Sequence, residues 1–548
     1  MKRALAVLIL LAAFVIANKA AFEGYFSEDD LDNLSWTTVV GWDTFGKELV
    51  TPVFSDTNMR PTGALFYRLA GNAFRLDFAR YVPFLFALHW LNCGMLFLLA
   101  RRKGVEETGA WAAAIFYLFH ASLLEAWWKP MYIFDVLAGS FCLIAWLLFL
   151  SRWWGYALIP FWLAYKSKEV ALFFPVVLAL DHWKRALPFF AVSLSFGLQA
   201  LRVNRGRDNN YTLRFEAASL VSTVPFYLKE AVLSKFGALI LAPLAYFARK
   251  RDFWKGLAGC VALLIPLLFL PSRLFSVYLY VPFIPLAIGL GFVFQRVPRY
   301  WLAAGFALWL GLNFQVLREK RKAELAIAQE SKAYVEQMQV AQKNKQLDSP
   351  AFYENSPEGL RLAGMRGALR LVTGNPLAEV LNPEDENARK RAEFRELPTL
   401  FWFRPRHELI VFAHHRGEAK MSYLDFESPK AVWQLKDGWY PREDTFRWAA
   451  PSATVMLKGF AEAEQLECEF NIGPEVIAAA KKVTVKVYVD EKLVGESSFD
   501  KVGVPILRYP VSGLGDRPVS VRLDSGPGFT VPGDDRKFGI AVKRIGLR

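Results

Sequence analysis

Glu28, Asp29 and Asp30 are three consecutive carboxylates in the run FSEDDLDNLSW, which follows an apolar stretch, Ala4–Ala21. Carboxylates anchor poorly in a bilayer. Beside its surface they suit taking a proton from a hydroxyl, or orienting it, where it meets a lipid-borne reactant. The same run also suits an ordinary solvated loop or a helix start, because Ser27 and the acids before Leu31 cap and charge a helix N-terminus. A second set is cationic. Lys129, Lys166, Lys168, Arg202, Arg205, Arg207 and Arg273 lie at the ends of apolar segments. Any one of them can snorkel to the interface. Several on one side suit an anionic ligand, such as a phosphate at headgroup depth.

These residues must be positioned by a membrane domain. The chain has 548 residues, 54% hydrophobic and 15% aromatic, too apolar for an ordinary soluble protein. The apolar residues concentrate before about Val316. Length, apolarity and flanking charge predict about eleven transmembrane helices near 4–21, 82–100, 109–124, 131–150, 154–166, 169–181, 186–202, 231–248, 257–271, 278–295 and 300–316. The fifth and sixth are short enough to be a re-entrant pair. The opening Met-Lys-Arg resembles a signal peptide, but the following EGYFSEDD has no small-x-small cleavage site, so a retained first helix is expected.

Alternate helices end in Arg101-Arg102-Lys103, Arg152, Lys184-Arg185, Arg249–Lys255 and Arg296–Arg299. This predicts a multi-pass inner-membrane protein with that side cytoplasmic and the acidic loop and carboxy-terminal region outside. The net charge of +14 then sets topology, and no nucleic-acid partner is expected. The first outer loop, about 22–81, carries segments at Leu34–Val40 and Leu65–Phe74 suited to lying in the interface. The loop Val203–Lys229 is basic, then amphipathic, as a mobile lid would be. Neither the four cysteines nor the six histidines, including the adjacent His414 and His415, have metal-ligand spacing. No cofactor is expected, though the acidic run could take a divalent cation.

Beyond Val316 the chain turns charged. Arg318–Asn344 reads as an outward helical stalk, followed by a mixed segment. Thr399–Phe403 and Leu409–Ala413 read as strands, and Val483, Val485, Val487 and Val489 alternate with polar residues, as do Val519, Val521 and Leu523. The expected division is a membrane domain at 1–316, a stalk and linker at 317–429, and an extracytoplasmic β-sandwich or jelly roll at 430–548. Trp439 and Trp448 suit the sandwich core better than a sugar platform.

Five segments of the membrane part carry a family resemblance. Glu28-Asp29-Asp30 sits where GT-C glycosyltransferases have an acidic pair in the first outer loop. Asn58-Met59-Arg60-Pro61 with Phe66-Tyr67-Arg68 resembles the family's "RP…FR" stretch. Leu88-His89-Trp90-Leu91-Asn92 resembles "H..N". Ser167-Lys168-Glu169, with Pro175 and the closing Asp181, resembles "SKE…P". Ser272-Arg273 through Tyr278, Tyr280 and Pro282 resembles "R…YLP". The order resembles most the protein O-mannosyltransferases, their TPR-containing transmembrane relatives and the aminoarabinose transferases. The TPR repeats are missing, and Arg273 and Tyr278 are spaced more widely than in the family form.

The resemblance implies a mainly α polytopic enzyme that moves a sugar from a polyprenyl-phosphate donor to a hydroxyl on the outer face, with inversion. Membrane lipid and a protein, glycan or lipid acceptor would be its partners. It implies Asp29 as base, with Asp30 or Glu28 as alternatives. Lys168, Arg273, Tyr278, Tyr280 and Arg60 would hold the donor phosphate, and Glu169, His89 and Asn92 would support them. Taken alone, Lys168–Glu169 also suits an interfacial ion pair, and His89 with Asn92 an interhelical hydrogen bond. The competing classes are a transporter or flippase, and a polymerase or ligase, of lipid-linked glycans.

Overall fold

The structure is a computed structural model that describes residues 2–52, 59–203, 212–242, 244–248, 251–382, 397–414, 419–428, 431, 434–443, 445–531 and 534–548. Two compact units divide the chain, Met1–Lys332 and Ala333–Arg548.

The first unit is helical. It comprises α1 (Lys2–Asn18), α2 (Asp30–Thr37), α3 (Trp42–Val50), α4 (Pro61–Phe74), α5 (Val82–Arg102), α6 (Glu107–Phe119), α7 (Leu124–Trp128), α8 (Ile133–Phe149), α9 (Leu158–Ser167), α10 (Phe174–Val203), α11 (Ala217–Val232), α12 (Lys235–Leu241), α13 (Leu244–Phe247), α14 (Arg251–Leu268), α15 (Phe283–Phe294) and the start of α16 (Arg299–Lys343). Among the described residues four helical segments are long and apolar enough to cross a membrane: Arg3–Glu23, Phe78–Arg102, Pro130–Phe149 and Arg299–Lys343. A fifth is added if Glu107–Phe119 and Ala121–Trp128, bent by 52°, form one span.

Several expected spans take other forms. The segment 231–248 breaks into α12 and α13, and the seven residues of α12 reach only about 10 Å against a hydrocarbon core of about 30 Å. Leu233, at φ 67°, turns the chain just before α12. The segments 169–181 and 186–202 fall largely within α10, on either side of a non-helical His182 (φ −146°, ψ 85°). The last span and the stalk are one unbroken helix, α16, of 45 residues. Nothing in its sequence interrupts it, since no proline lies between Arg299 and Lys343.

Glycines let the helices close up. A Cβ on Gly109 would lie 2.4 Å from the Gly291 carbonyl oxygen, and one on Gly256 would lie 2.7 Å from the Gly289 Cα. Small residues at such crossings bring backbones into contact where lipid tails supply no hydrophobic drive.

The second unit holds two folded parts. The segment expected as a linker forms a four-stranded sheet, β1 (Ala351–Glu354), β2 (Val380–Leu381), β3 (Leu397–Phe403) and β4 (Glu408–His414), in the order β2-β1-β3-β4. Among its described residues the remainder has two larger antiparallel sheets and a two-stranded one that pairs Phe529–Val531 with Asp534–Phe538. One of the larger sheets consists of Lys492–Phe499, Val483–Val489, Pro518–Asp524 and Ser452–Lys458 in that spatial order. The other runs Ile506–Pro510, Gln465–Asn471, Ala541–Leu547, Phe446–Ala449 and Trp439–Glu443, with Tyr423–Asp425 also paired to Ala541–Leu547. Val485, Val487, Val521 and Leu523 of the first share one core with Cys468, Phe470, Val542 and Ile545 of the second. Each such side chain contributes roughly 1.5–3 kcal/mol on burial. Trp448 is buried in this core, and Trp439 packs against it while its Nε1 donates to the Thr454 carbonyl at 2.8 Å.

Candidate functional site

Three stretches far apart in sequence meet at one end of α8 and α9. Pro61 opens α4, where its missing N–H costs nothing, and leaves Arg60 as the preceding residue. The Thr62 hydroxyl lies 2.7 Å from that of Ser167, which ties the start of α4 to the end of α9. Lys168 follows in an extended conformation (φ −162°, ψ 148°), its N–H closing α9 on the Ala164 carbonyl. Asp135 stands in the first turn of α8.

The charged groups interlock. Arg60 donates through Nε and Nη2 to the two Glu169 oxygens at 3.1 and 3.0 Å. Lys168 Nζ donates to Asp135 Oδ2 at 2.6 Å and lies 4.6 Å from the centre of the Tyr278 ring. Arg273 Nε donates to the Tyr278 hydroxyl at 3.0 Å. Arg60 also acts electrostatically on Asp135. Arg60, Lys168 and Arg273 thus gather with Glu169, Asp135 and the Tyr278 hydroxyl, and guanidinium and ammonium donors of this kind suit a bound anion.

An acidic group adjoins them. Lys129 pairs with Glu324 at 2.7 Å and Glu125 at 3.4 Å, and Glu28 acts electrostatically on it. Tyr132 links the two groups, because the charges of Glu125, Asp135 and Glu28, and Tyr278 as well, all act on it. Glu28 takes a left-handed backbone conformation (φ 51°). Such strain in a non-glycine residue costs of order 1 kcal/mol or more and gathers at functional sites.

The run of three carboxylates is divided. Asp29 is exposed, Glu28 half-buried and Asp30 fully buried. Asp30, the first residue of α2, accepts from the Ser27 N–H at 3.0 Å and the Tyr67 hydroxyl at 2.5 Å. Burial pushes its carboxyl from 3.8 up to about 7, against the pull of the Ser27 and Tyr67 hydrogen bonds and the charge of Lys129. The folded state thus holds a proton that the unfolded chain has released above pH 4. Stability should fall as pH rises from about 4 to 7, by about 4 kcal/mol, and level off above. Unfolding of the detergent-solubilised protein followed from pH 4 to 8 should show this slope, and Asp30→Asn should flatten it. An equal slope in both would refute the assignment.

Tyr280 stands apart from the cationic group. Its hydroxyl is 3.0 Å from His89 Nδ1 and accepts from Asn92 Nδ2 at 2.9 Å, inside the helix bundle. Gly139 makes room for its ring, since a Cβ there would lie 2.9 Å from the ring edge. His89 also meets the Leu118 carbonyl at 3.1 Å and stacks on Trp127, so with Asn92 it joins helices. Asp181 accepts from Lys103 and from Trp146 Nε1 at 2.8 Å. Trp146 lies roughly 16 Å along α8 from Asp135. Lys166 Nζ donates to the Thr51 carbonyl at 2.7 Å. Asn58, Arg205, Arg207 and His415 lie outside the described residues.

Asp135, Tyr132, Glu125 and Glu324 were not singled out from sequence. An aspartate within the apolar run IFDVLAGSF was the available signal, since an ionisable residue in a span needs a partner. Within the acidic run Asp30 is turned inward to Tyr67 while Asp29 is exposed. Among the described residues no group of three or more His, Cys, Asp or Glu could hold a metal ion.

No family model matches the chain, and no curated protein matches it. One solved structure that it resembles is the crystal structure of ArnT from Cupriavidus metallidurans in the apo state. The identity is 13%, the likeness covers 74% of this chain and 94% of that one, and the TM-score is 0.47. So distant a likeness says nothing of chemistry, which rests on the residues described above.

Proposed function

We propose that this chain is a multi-pass inner-membrane glycosyltransferase of GT-C type. It moves one sugar from a polyprenyl phosphate to an acceptor hydroxyl at the outer face. The observation that carries this reading is the meeting of Arg60, Lys168 and Arg273, from three separate stretches, around Glu169, Asp135 and Tyr278, with Tyr132 linking them to Glu28 of the acidic run. The five ordered motifs of the membrane part support it, and the charge bias of the loops supports the orientation.

The acceptor oxygen attacks the anomeric carbon while the bond from that carbon to the phosphate oxygen breaks. The electron pair leaves with the polyprenyl phosphate. Attack opposite the leaving group inverts the anomeric centre. The acceptor proton passes to Asp29, the exposed member of the run. The donor is a phosphodiester with one charge, and the departing phosphate gains a second. Guanidinium and ammonium donors aimed at the phosphate stabilise that second charge more than the first, which is the condition for lowering the barrier. Lys168 and Arg60 each hold a carboxylate now, and the phosphate draws on the same donors.

A panel of polyprenyl phosphate sugars offered to the purified full chain in detergent tests this directly. Release of free polyprenyl phosphate from at least one donor is expected. No release from any donor, with polyprenyl phosphate still bound, would favour a transporter of lipid-linked glycans.

A further inference from the structure

Tyr227 is buried, at 3% exposure, and its hydroxyl has no hydrogen-bond partner among the described residues. A buried hydroxyl left unpaired costs stability, so its retention calls for a reason. Its surroundings supply one. Tyr227 sits on α11, which packs against α14 and the turn Ser276–Leu279. One turn earlier, the Thr223 hydroxyl meets the Leu268 carbonyl at 2.9 Å. One turn later, Glu230 accepts from Lys320 Nζ at 2.7 Å and from the Ser122 hydroxyl at 2.8 Å, and Lys320 reaches Ser276 Oγ at 3.3 Å. The Ala231 carbonyl lies 3.1 Å from His120 Nε2. The helix is therefore pinned on both sides of Tyr227. Between those pins the tyrosine lies within electrostatic reach of Tyr278 and Arg273, the pair joined at 3.0 Å.

We infer that Tyr227 is a binding residue of the same site, whose hydroxyl donates a hydrogen bond to the phosphate of the lipid-linked donor beside Arg273 and Tyr278. This rests on the function proposed above. The bound phosphate supplies the acceptor that the ligand-free protein lacks. With Tyr278, it gives the site two phenol hydroxyls at Arg273, one from the loop and one from α11.

The test is equilibrium binding of polyprenyl phosphate and of the uncharged polyprenol to the full chain, wild type beside Tyr227→Phe, with the ligand-free thermal midpoint of each. Tyr227→Phe should weaken polyprenyl phosphate about tenfold. It should leave polyprenol binding unchanged and should not lower the midpoint, because the variant removes an unpaired buried hydroxyl. A purely structural tyrosine would lower the midpoint instead. Unchanged phosphate binding, or an equal loss for both lipids, would overturn the inference while leaving the proposed function standing. Failure of the wild type to bind polyprenyl phosphate would remove both.

Discussion

Lys168→Met should sharply reduce sugar transfer and lower the thermal midpoint, and adding Asp135→Asn should restore the midpoint without restoring transfer. The Asp135 side chain is only 2% exposed, and Lys168 is its direct partner at 2.6 Å. Removing one member of a buried ion pair strands the other charge, at a cost of about 3–5 kcal/mol. Removing the second charge relieves most of that penalty. The phosphate contact is not recovered, because no cation returns to that position. The loss in rate from one missing charge-stabilising group is on the order of 100- to 1,000-fold. Transfer and unfolding measured on the two variants separate the roles. Recovery of transfer in the double variant would mean that Lys168 acts only through Asp135 as a structural tie.

Asp29→Asn should reduce transfer by about 100- to 10,000-fold with polyprenyl phosphate binding retained. Asparagine keeps the size and the hydrogen-bonding reach of aspartate but cannot take the acceptor's proton. Burial divides the run: Asp29 is exposed, while Asp30 is enclosed and bonded to Ser27 and Tyr67. Single-turnover release and equilibrium binding on the same preparation check this. Full release by Asp29→Asn would move the base to Glu28, whose strained backbone and coupling to Lys129 make it the next candidate.

Much of the arrangement was legible in the residues. The cations at helix ends stand out because charge at the edge of an apolar segment needs a partner, and Arg60, Lys168, Glu169, Arg273 and Tyr278 do gather. The alternating valines at 483–489 have a period of two and form a strand with those side chains inward. Asp135 was hidden for the opposite reason. One carboxylate barely dents the apolarity of a whole span, and its partner lies 33 residues away in sequence. The family resemblance groups Tyr280 with Tyr278, yet the turn between them aims one hydroxyl at Arg273 and the other at His89 and Asn92. Of the four-stranded sheet at 351–414, the residue pattern shows β3 and β4 and leaves β1 and β2 within the linker. Its strands β1 and β2 are four and two residues long, too short to set up a visible period, and they pair in parallel across intervening chain. The break before α12 depends on the left-handed conformation of Leu233, which residue type does not announce.

We propose a division of labour in which the cationic group holds the lipid phosphate and the acidic run carries out the transfer. Binding of polyprenyl phosphate and single-turnover sugar release, measured together on wild type, Lys168→Met and Asp29→Asn, test it most directly. The expected result is binding and release by wild type, a sharp reduction of both in Lys168→Met, and binding without release in Asp29→Asn. Equal binding and equal release by all three folded proteins would contradict it.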